Sequence, residues 1–263
     1  MSVKPSPAVP SPAATLVLLR DGQNGGVETL LIQRHHKSRF AAGDFVFPGG
    51  RIEPDDTPAD AEAWCVGLDE AEAARQLGVA DVRAALGYWI GAIREAFEEV
   101  GTLMAYAADG DLVRDPARFS DQRRACQQDH RTFWDLLRAE RLRLATDRLR
   151  YFAHWITPEE NPLRFDTRFF AAVMPPAQTA IQDEHEIVAV RWLAPADAAA
   201  ARERGEIGLR LPTLKSLMLF DGATSAAAAL ERLVGRTITT IRPRLVFEGN
   251  QRRAILPGEP GYH

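Results

Sequence analysis

Apolar positions near the N-terminus fall into two short runs. Residues 15–20 (TLVLLR) and 28–33 (ETLLIQ) read as strands, and the DGQNGG between them is a turn cluster, so a hairpin is predicted. A loop over residues 40–50 carries one apolar run, Phe45-Val46-Phe47, and ends in Pro48-Gly49-Gly50. From 58 to 77 the chain is rich in Ala and Glu and reads as short helices. Asp81 suits the N-terminus of a longer helix reaching Val100, with Gly101 as its stop. Residues 121–144 read as helical again, with Phe133, Trp134, Leu136 and Leu137 on an apolar patch. Strands are predicted over 150–156, 168–173 and 187–193, and helices over 195–204, 214–220 and 225–234. A last strand spans 237–247, ahead of a Pro/Gly-rich end. Strands and helices alternate with no linker and no internal repeat. The economical expectation is one mixed α/β domain over 13–263, behind a flexible lead-in over 1–12 that carries Pro5, Pro7, Pro10 and Pro12.

Composition narrows the function classes. Of 263 residues, 46% are hydrophobic and 26% charged, which suits a globular chain with a sizeable core. The net charge of −4 gives no support to bulk nucleic-acid binding, so a small anionic substrate would need a local cluster of Arg, Lys or metal. No run is long and apolar enough for a membrane span, and the first residues do not form a signal peptide. Cys65 and Cys126 lie in no metal-ligand spacing and read as core or surface thiols, so a reducing cytoplasm is the expected compartment. The five tryptophans are core by default, though one could stack on a base.

The chemistry concentrates in Arg94-Glu95-Ala96-Phe97-Glu98-Glu99-Val100-Gly101. On a helix, Glu95, Glu98 and Glu99 stand at i, i+3 and i+4 and share one face, while Ala92, Ile93, Ala96, Phe97 and Val100 can pack inward. A like-charge pair at 4 Å costs about 1 kcal/mol in water and about 4 kcal/mol at an effective dielectric of 20. A structural helix would interleave lysines; here only Arg94 is adjacent. Clustered oxygen ligands suit a hard cation such as Mg²⁺. A solvated acidic face would carry the same residue types, but the ordered pattern R-E-x-x-E-E-x-G arises by chance only about 10⁻⁴ times in a chain of this length at average usage.

Upstream stands Phe47-Pro48-Gly49-Gly50-Arg51-Ile52-Glu53-Pro54-Asp55-Asp56. Alone, Pro-Gly-Gly is a turn. Joined to the acidic helix it resembles the Nudix box, G-x5-E-x7-R-E-U-x-E-E-x-G-U, with U apolar: Gly50 matches the opening glycine, and Arg94, Glu95, Ala96, Glu98, Glu99 and Gly101 match the second half. Asp56 stands at the first Glu position, Thr102 takes the last apolar position, and about 37 residues separate Asp56 from Arg94 where the pattern has seven. A helical insertion over 57–91 is therefore expected; loop closure tolerates it, since each doubling of length costs only about 0.6 kcal/mol. A second likeness is to Nudix hydrolases that split coenzyme A, which carry L-L-T-x-R-[SA]-x3-R-x3-G-x3-F-P-G-G. This chain keeps the spacing through Leu30, Leu31, Arg34, Arg39, Gly43 and Phe47–Gly50, with Ile32 and His35 replacing the Thr and the Ser/Ala. The stretches RFDTRFF (164–170) and LPGEPGY (256–262) add to the likeness to the branch with an insertion in its box.

The resemblance implies a Nudix α/β/α sandwich with a mixed sheet and helical insertions. It implies hydrolysis of a diphosphate bond in a nucleoside diphosphate derivative, with coenzyme A or acyl-CoA giving 3′,5′-ADP and (acyl-)phosphopantetheine as the first expectation. ADP-ribose, a dinucleotide or a nucleoside triphosphate is the alternative substrate, and a non-catalytic nucleotide-binding regulator a third reading. The implied cofactor is Mg²⁺ or Mn²⁺, held by Glu98 and Glu99 with the Gly49 carbonyl beside them; Glu95 would bind a metal or act as base, and Arg94 would hold the carboxylates in position. A later loop, Asp183-Glu184-His185-Glu186, offers a further ligand, with Glu186 preferred to Glu184. Arg34 and Arg39 are phosphate candidates because a guanidinium fork matches phosphate geometry, and Gly50 and Arg51 lie beside them in the substrate set. The expected partner is a small-molecule nucleotide derivative, without nucleic acid or membrane. The insertion could serve as a lid, an acyl pocket or a homodimer surface.

Overall fold

Strands β1 (Ser11–Asp21) and β2 (Val27–Arg34) form the predicted hairpin, each longer than its apolar run. The computed structural model describes residues 7–38, 41–182, 186–248 and 251–262. β1 thus begins inside the Pro-rich lead-in expected to be flexible: Ser11 N–H donates to Arg164 O, and Ser11 and Pro12 pair in register with Phe165 and Asp166. The remaining elements, in chain order, are β3 (Phe45–Val46), β4 (Gly49–Arg51), α1 (Glu70–Leu77), α2 (Val82–Val100), β5 (Ala105–Tyr106), α3 (Ser120–Gln128), α4 (Thr132–Glu140), β6 (Arg143–Leu144), β7 (Arg150–Ile156), β8 (Phe165–Val173), β9 (Ile187–Leu193), α5 (Pro195–Glu203), α6 (Leu211–Leu217), α7 (Ala226–Glu231), β10 (Thr240–Ile241), β11 (Arg244–Glu248) and β12 (Gln251–Ile255). Two differences from expectation have local causes. Residues 121–144 form two helices because the chain turns at Asp129–Arg131, where the Asp129 carboxylate accepts from the Arg131 backbone and guanidinium. The tail does not make one strand: β10 joins the main sheet, while β11 and β12 pair with each other.

The main sheet has eight strands in the order β10-β7-β8-β1-β2-β3, with β4 also on β1 and β9 also on β2. β1–β8 and β10–β7 are parallel and the other pairs antiparallel, which makes the sheet mixed. Alternation sends successive side chains to opposite faces. Ala14, Leu16 and Leu18 of β1, with Leu30 and Ile32 of β2, pack under α2; Val17, Leu19 and Leu31 pack against α5, α6 and α7. Helices therefore cover both faces, in the α/β/α arrangement expected.

Helix α2 has the predicted ends. Asp81 accepts from Ala84 N–H at 3.0 Å, and Gly101 takes a left-handed φ of 68°. The detour between Asp56 and this helix contributes Ala61, Cys65, Leu68, Ala73, Ala74 and Leu77 to the α2-side core. Val66 N–H donates to Leu144 O, and Trp134 Nε1 donates to Asp55 O at 2.8 Å, so α4 and β6 hold the entrance and the middle of the detour. The predicted insertion over 57–91 also takes in the first half of α2; the excursion outside the helix ends at Asp81. Gly91 makes the return possible, because a Cβ there would press on Ile52 Cδ1 at 2.6 Å and Asp56 Oδ2 at 3.1 Å. Among the described residues, no helix is long and apolar enough to cross a membrane.

Candidate active site

The Pro48-Gly49-Gly50 segment is held against the sheet before any carboxylate meets it. Leu16 N–H donates to Pro48 O, and Gly49–Arg51 pair with Ala13–Thr15. Glycine is required by close approach: a Cβ on Gly49 would overlap Ala14 O and Thr15, and one on Gly50 would overlap the Glu95 carboxylate. The Nudix-like bend and the acidic helix are thus in contact across the long detour.

Helix α2 turns Ala92, Ile93, Ala96, Phe97 and Val100 into the core, which leaves its acidic residues on the bend. Glu99, 5% exposed, accepts from Gly49 N–H at 2.8 Å and pairs with Arg34 at 3.4 Å. Arg34 also reaches Glu186 at 3.6 Å. Arg94 is buried and organises the rest: its guanidinium donates to Asp56 (2.7 and 3.0 Å), Glu95 (2.9 Å), Glu98 (3.2 Å) and Arg51 O (2.9 Å). Asp56, matched to the first Glu of the box, is 1% exposed and forms the bidentate side of that array. The Glu98 carbonyl accepts from Arg123 Nε (3.0 Å) and Gln127 Nε2 (2.7 Å), which docks α3 on the end of α2.

The electrostatics are those of an under-neutralised site. Burial pushes the carboxyl of Glu98 up to about 8, against the partial relief of Arg94. Burial also raises Glu95, and raises Glu99 well above the usual carboxylate range with Glu95 repulsion added. A cleft of about 550 Å³ is lined by five carboxylates (Glu53, Glu95, Glu98, Glu99, Glu186) and three guanidiniums (Arg34, Arg51, Arg94). Hard oxygen donors with excess negative charge fit a hard divalent cation. Among the described residues, no three acidic, His or Cys side chains form a ready-made metal cage: Glu95 and Glu98 lean on Arg94, and Glu99 on Gly49 and Arg34.

The structure thus brings together Arg34, Gly49, Gly50, Arg51, Arg94, Glu95, Glu98, Glu99 and Glu186 around one cleft. Gly49 meets Glu99 through its N–H, a group separate from the carbonyl expected beside the metal. Arg39, Asp183, Glu184 and His185 lie outside the described residues. Thr15, Phe165, Thr167, Gln127 and His130 also line the cleft and were not singled out individually. Phe165 and Thr167 had a signal, since they alternate within RFDTRFF; the α3 wall had none, because its approach depends on the Glu98 carbonyl. Cys65 and Cys126 are buried free thiols, pushed by burial up to about 12 and about 11.

The chain is similar to known proteins in sequence and in fold. Residues 72–219 match the family described as the NUDT19 Nudix domain, a span that covers the acidic helix and begins after the glycine bend. Proteins named acyl-coenzyme A diphosphatase NUDT19 align from Gallus gallus (28% identity, 72% of this chain, 60% of that protein) and Xenopus laevis (26%, 65% and 53%). The chain spans little more than half the length of these two relatives. A solved Nudix hydrolase from Alicyclobacillus acidocaldarius superposes with a TM-score of 0.70 at 28% identity, over 85% of this chain and 96% of that one. With the family match extending over more than half of the sequence, and the bend and acidic helix in contact, the chain belongs to the Nudix family, in the branch described as the NUDT19 Nudix domain.

Proposed function

We propose that this chain hydrolyses the diphosphate bond of coenzyme A or an acyl-CoA, giving 3′,5′-ADP and (acyl-)phosphopantetheine. The observation that carries the reading is the packing of Glu95 and Glu99 on the Gly49-Gly50 bend, with Glu98 lining the same cleft and a carboxylate at every acidic position of the box. The Arg34-to-Gly50 spacing and the names of the aligned relatives support the substrate.

Glu98 and Glu99, with Glu95 and Glu186 nearby, would hold Mg²⁺ or Mn²⁺. When bound, such a cation offsets charge on the diphosphate oxygens and acidifies the attacking water. Arg94 fixes the carboxylates of Glu95 and Glu98 and leaves them little freedom to rotate. Gly50 lets the Glu95 carboxylate sit directly against the bend, where it would accept a proton from water or bind the metal. Arg34 and Arg51 line the cleft as phosphate partners, Arg34 exchanging its carboxylates for substrate oxygens.

ADP-ribose, a dinucleotide or a nucleoside triphosphate is the second reading, motivated by Ile32 and His35 at positions where the coenzyme A pattern has Thr and Ser/Ala. Ile32 is fully buried in the α2-side core, which removes half of that motivation. The test is incubation with Mg²⁺ and a panel of coenzyme A, acyl-CoAs, ADP-ribose, NADH and nucleoside triphosphates, with products identified by mass. Cleavage of ADP-ribose or NADH with coenzyme A intact would overturn the substrate assignment. Glu99→Gln is expected to lower turnover at least about 10²-fold, as does loss of one electrostatic group in other active sites; unchanged turnover would remove the catalytic role of the helix.

A further inference from the structure

A second cavity, of about 470 Å³, lies on the α5–α6 side of the sheet and borders the carboxylate cleft. The two share Thr15, Arg34, Gly49, Phe165 and Thr167 as a border. Their characters differ. The second cavity is walled mostly by apolar side chains, among them Trp155, Ile156, Leu209 and Leu211; its Arg202 and Arg210 guanidiniums are engaged by the Leu209 carbonyl and by Asp44. The far wall of the carboxylate cleft is polar, with Gln127, Gln128 and His130 on and just after α3.

A coenzyme A thioester has the same asymmetry about its diphosphate. One half is a charged, hydrogen-bonding 3′,5′-ADP; the other is a pantetheine arm ending in a hydrocarbon chain. The diphosphate must lie at the carboxylates, so each half has one direction to take. We infer that the apolar cavity receives the S-acyl-pantetheine half, with the 3′,5′-ADP half directed to the α3 wall. This rests on the proposed function and adds the direction of the substrate and the place of its acyl chain. The detour after Asp56 is then not the acyl pocket: its apolar side chains are spent in the α2-side core, on the opposite face of the sheet.

Each buried methylene is worth roughly fourfold in affinity, until the cavity is full. Wild-type kcat/KM is therefore expected to climb from free coenzyme A through hexanoyl- to dodecanoyl-CoA, all assayed below their micelle concentrations, and then level off. Leu211 is half-buried in the cavity wall, outside the carboxylate cleft. Leu211→Ser is expected to lower kcat/KM for dodecanoyl-CoA about tenfold, as loss of several apolar contacts does, and to lower it by a smaller factor for free coenzyme A, whose pantetheine arm meets the same wall without the hydrocarbon chain. A flat chain-length series in the wild type, or an equal loss for both substrates in the variant, would overturn the assignment. S-dodecanoyl-pantetheine, which lacks the diphosphate, separates this inference from the hydrolytic reading. If calorimetry without metal shows it binding the wild type and more weakly Leu211→Ser, the cavity assignment stands even where no coenzyme A derivative is cleaved. If coenzyme A is cleaved and the pantetheine thioester does not bind, the hydrolytic reading stands and the cavity assignment falls.

Discussion

Replacing Asp56 tests whether one ion pair closes the long detour onto α2. Asp56 and Arg94 are both almost wholly buried, and two hydrogen bonds of 2.7 and 3.0 Å join them. Asp56 Oδ2 also accepts from Glu53 N–H at 2.8 Å, which anchors the turn where the detour leaves the bend. Asp56→Ala removes all three bonds and leaves Arg94 facing an apolar void on that side. Breaking a buried pair costs about 3–5 kcal/mol. Arg94 keeps Glu95, Glu98 and Arg51 O, so the lower end applies. In a chain of this size each kcal/mol moves the melting temperature by about 2–4 °C, so a drop of roughly 6–12 °C is expected. Melts are recorded by circular dichroism in EDTA, so that lost metal binding does not contribute. Asp56→Asn, which keeps the shape and one acceptor, is expected to lose about half as much, since a neutral hydrogen bond replaces a charge-assisted one. A melting temperature for Asp56→Ala within about 2 °C of wild type, less than 1 kcal/mol on the same scale, would refute the reasoning.

Three further outcomes are expected. Gly50→Ala places a methyl group against the Glu95 carboxylate, so activity falls at least tenfold while the melting temperature moves by less than that of Asp56→Ala; an active variant would show that Glu95 has room to spare. Gln178 bridges Leu103 N–H and the carbonyls of Leu103 and Val113 from a buried position, so Gln178→Ala strands three backbone groups and costs about 2–4 kcal/mol, read by urea denaturation. The Glu98 carboxyl is raised from 4.5 to about 8, so the folded state holds a proton that the unfolded state releases in that interval. Its contribution is full below 4.5 and is lost as pH rises through 8, so the metal-free melting temperature falls between those values. Mg²⁺ competes with that proton, so its stabilising effect is larger at pH 8 than at pH 5 in thermal-shift assays, and a pH-independent gain would contradict this.

The parts of the fold legible in the sequence were those set by local chemistry. Asp81 and Gly101 bound α2 because an N-cap acceptor and a left-handed glycine act within one turn of the chain. Strands β7 and β9 match their apolar runs residue for residue. The site was legible to the extent that the box could be read across an insertion; Gly50 and Glu95 touch although 44 residues separate them. What stayed hidden depends on tertiary contact. Arg94 was given a positioning role, but not its bidentate grip on Asp56. Gly87 and Gly91 look like faults in a helix until Ile52 and Thr57 are seen to pack over them. The split of β10 from β11 could not be read either, because both carry β-branched and apolar residues and only the sheet edge at β7 distinguishes them.

The glutamates occupy the last two turns of a helix that ends at Val100. Peptide dipoles sum to roughly half a negative charge at such an end, so the backbone itself adds to the potential that the three side chains create. A single glutamate substitution leaves that fixed contribution in place. Arg123 and Gln127 touch it directly, since both donate to the Glu98 carbonyl. Helix α3 therefore damps the field of α2, by one charged and one amide donor placed on a carbonyl of its last turn.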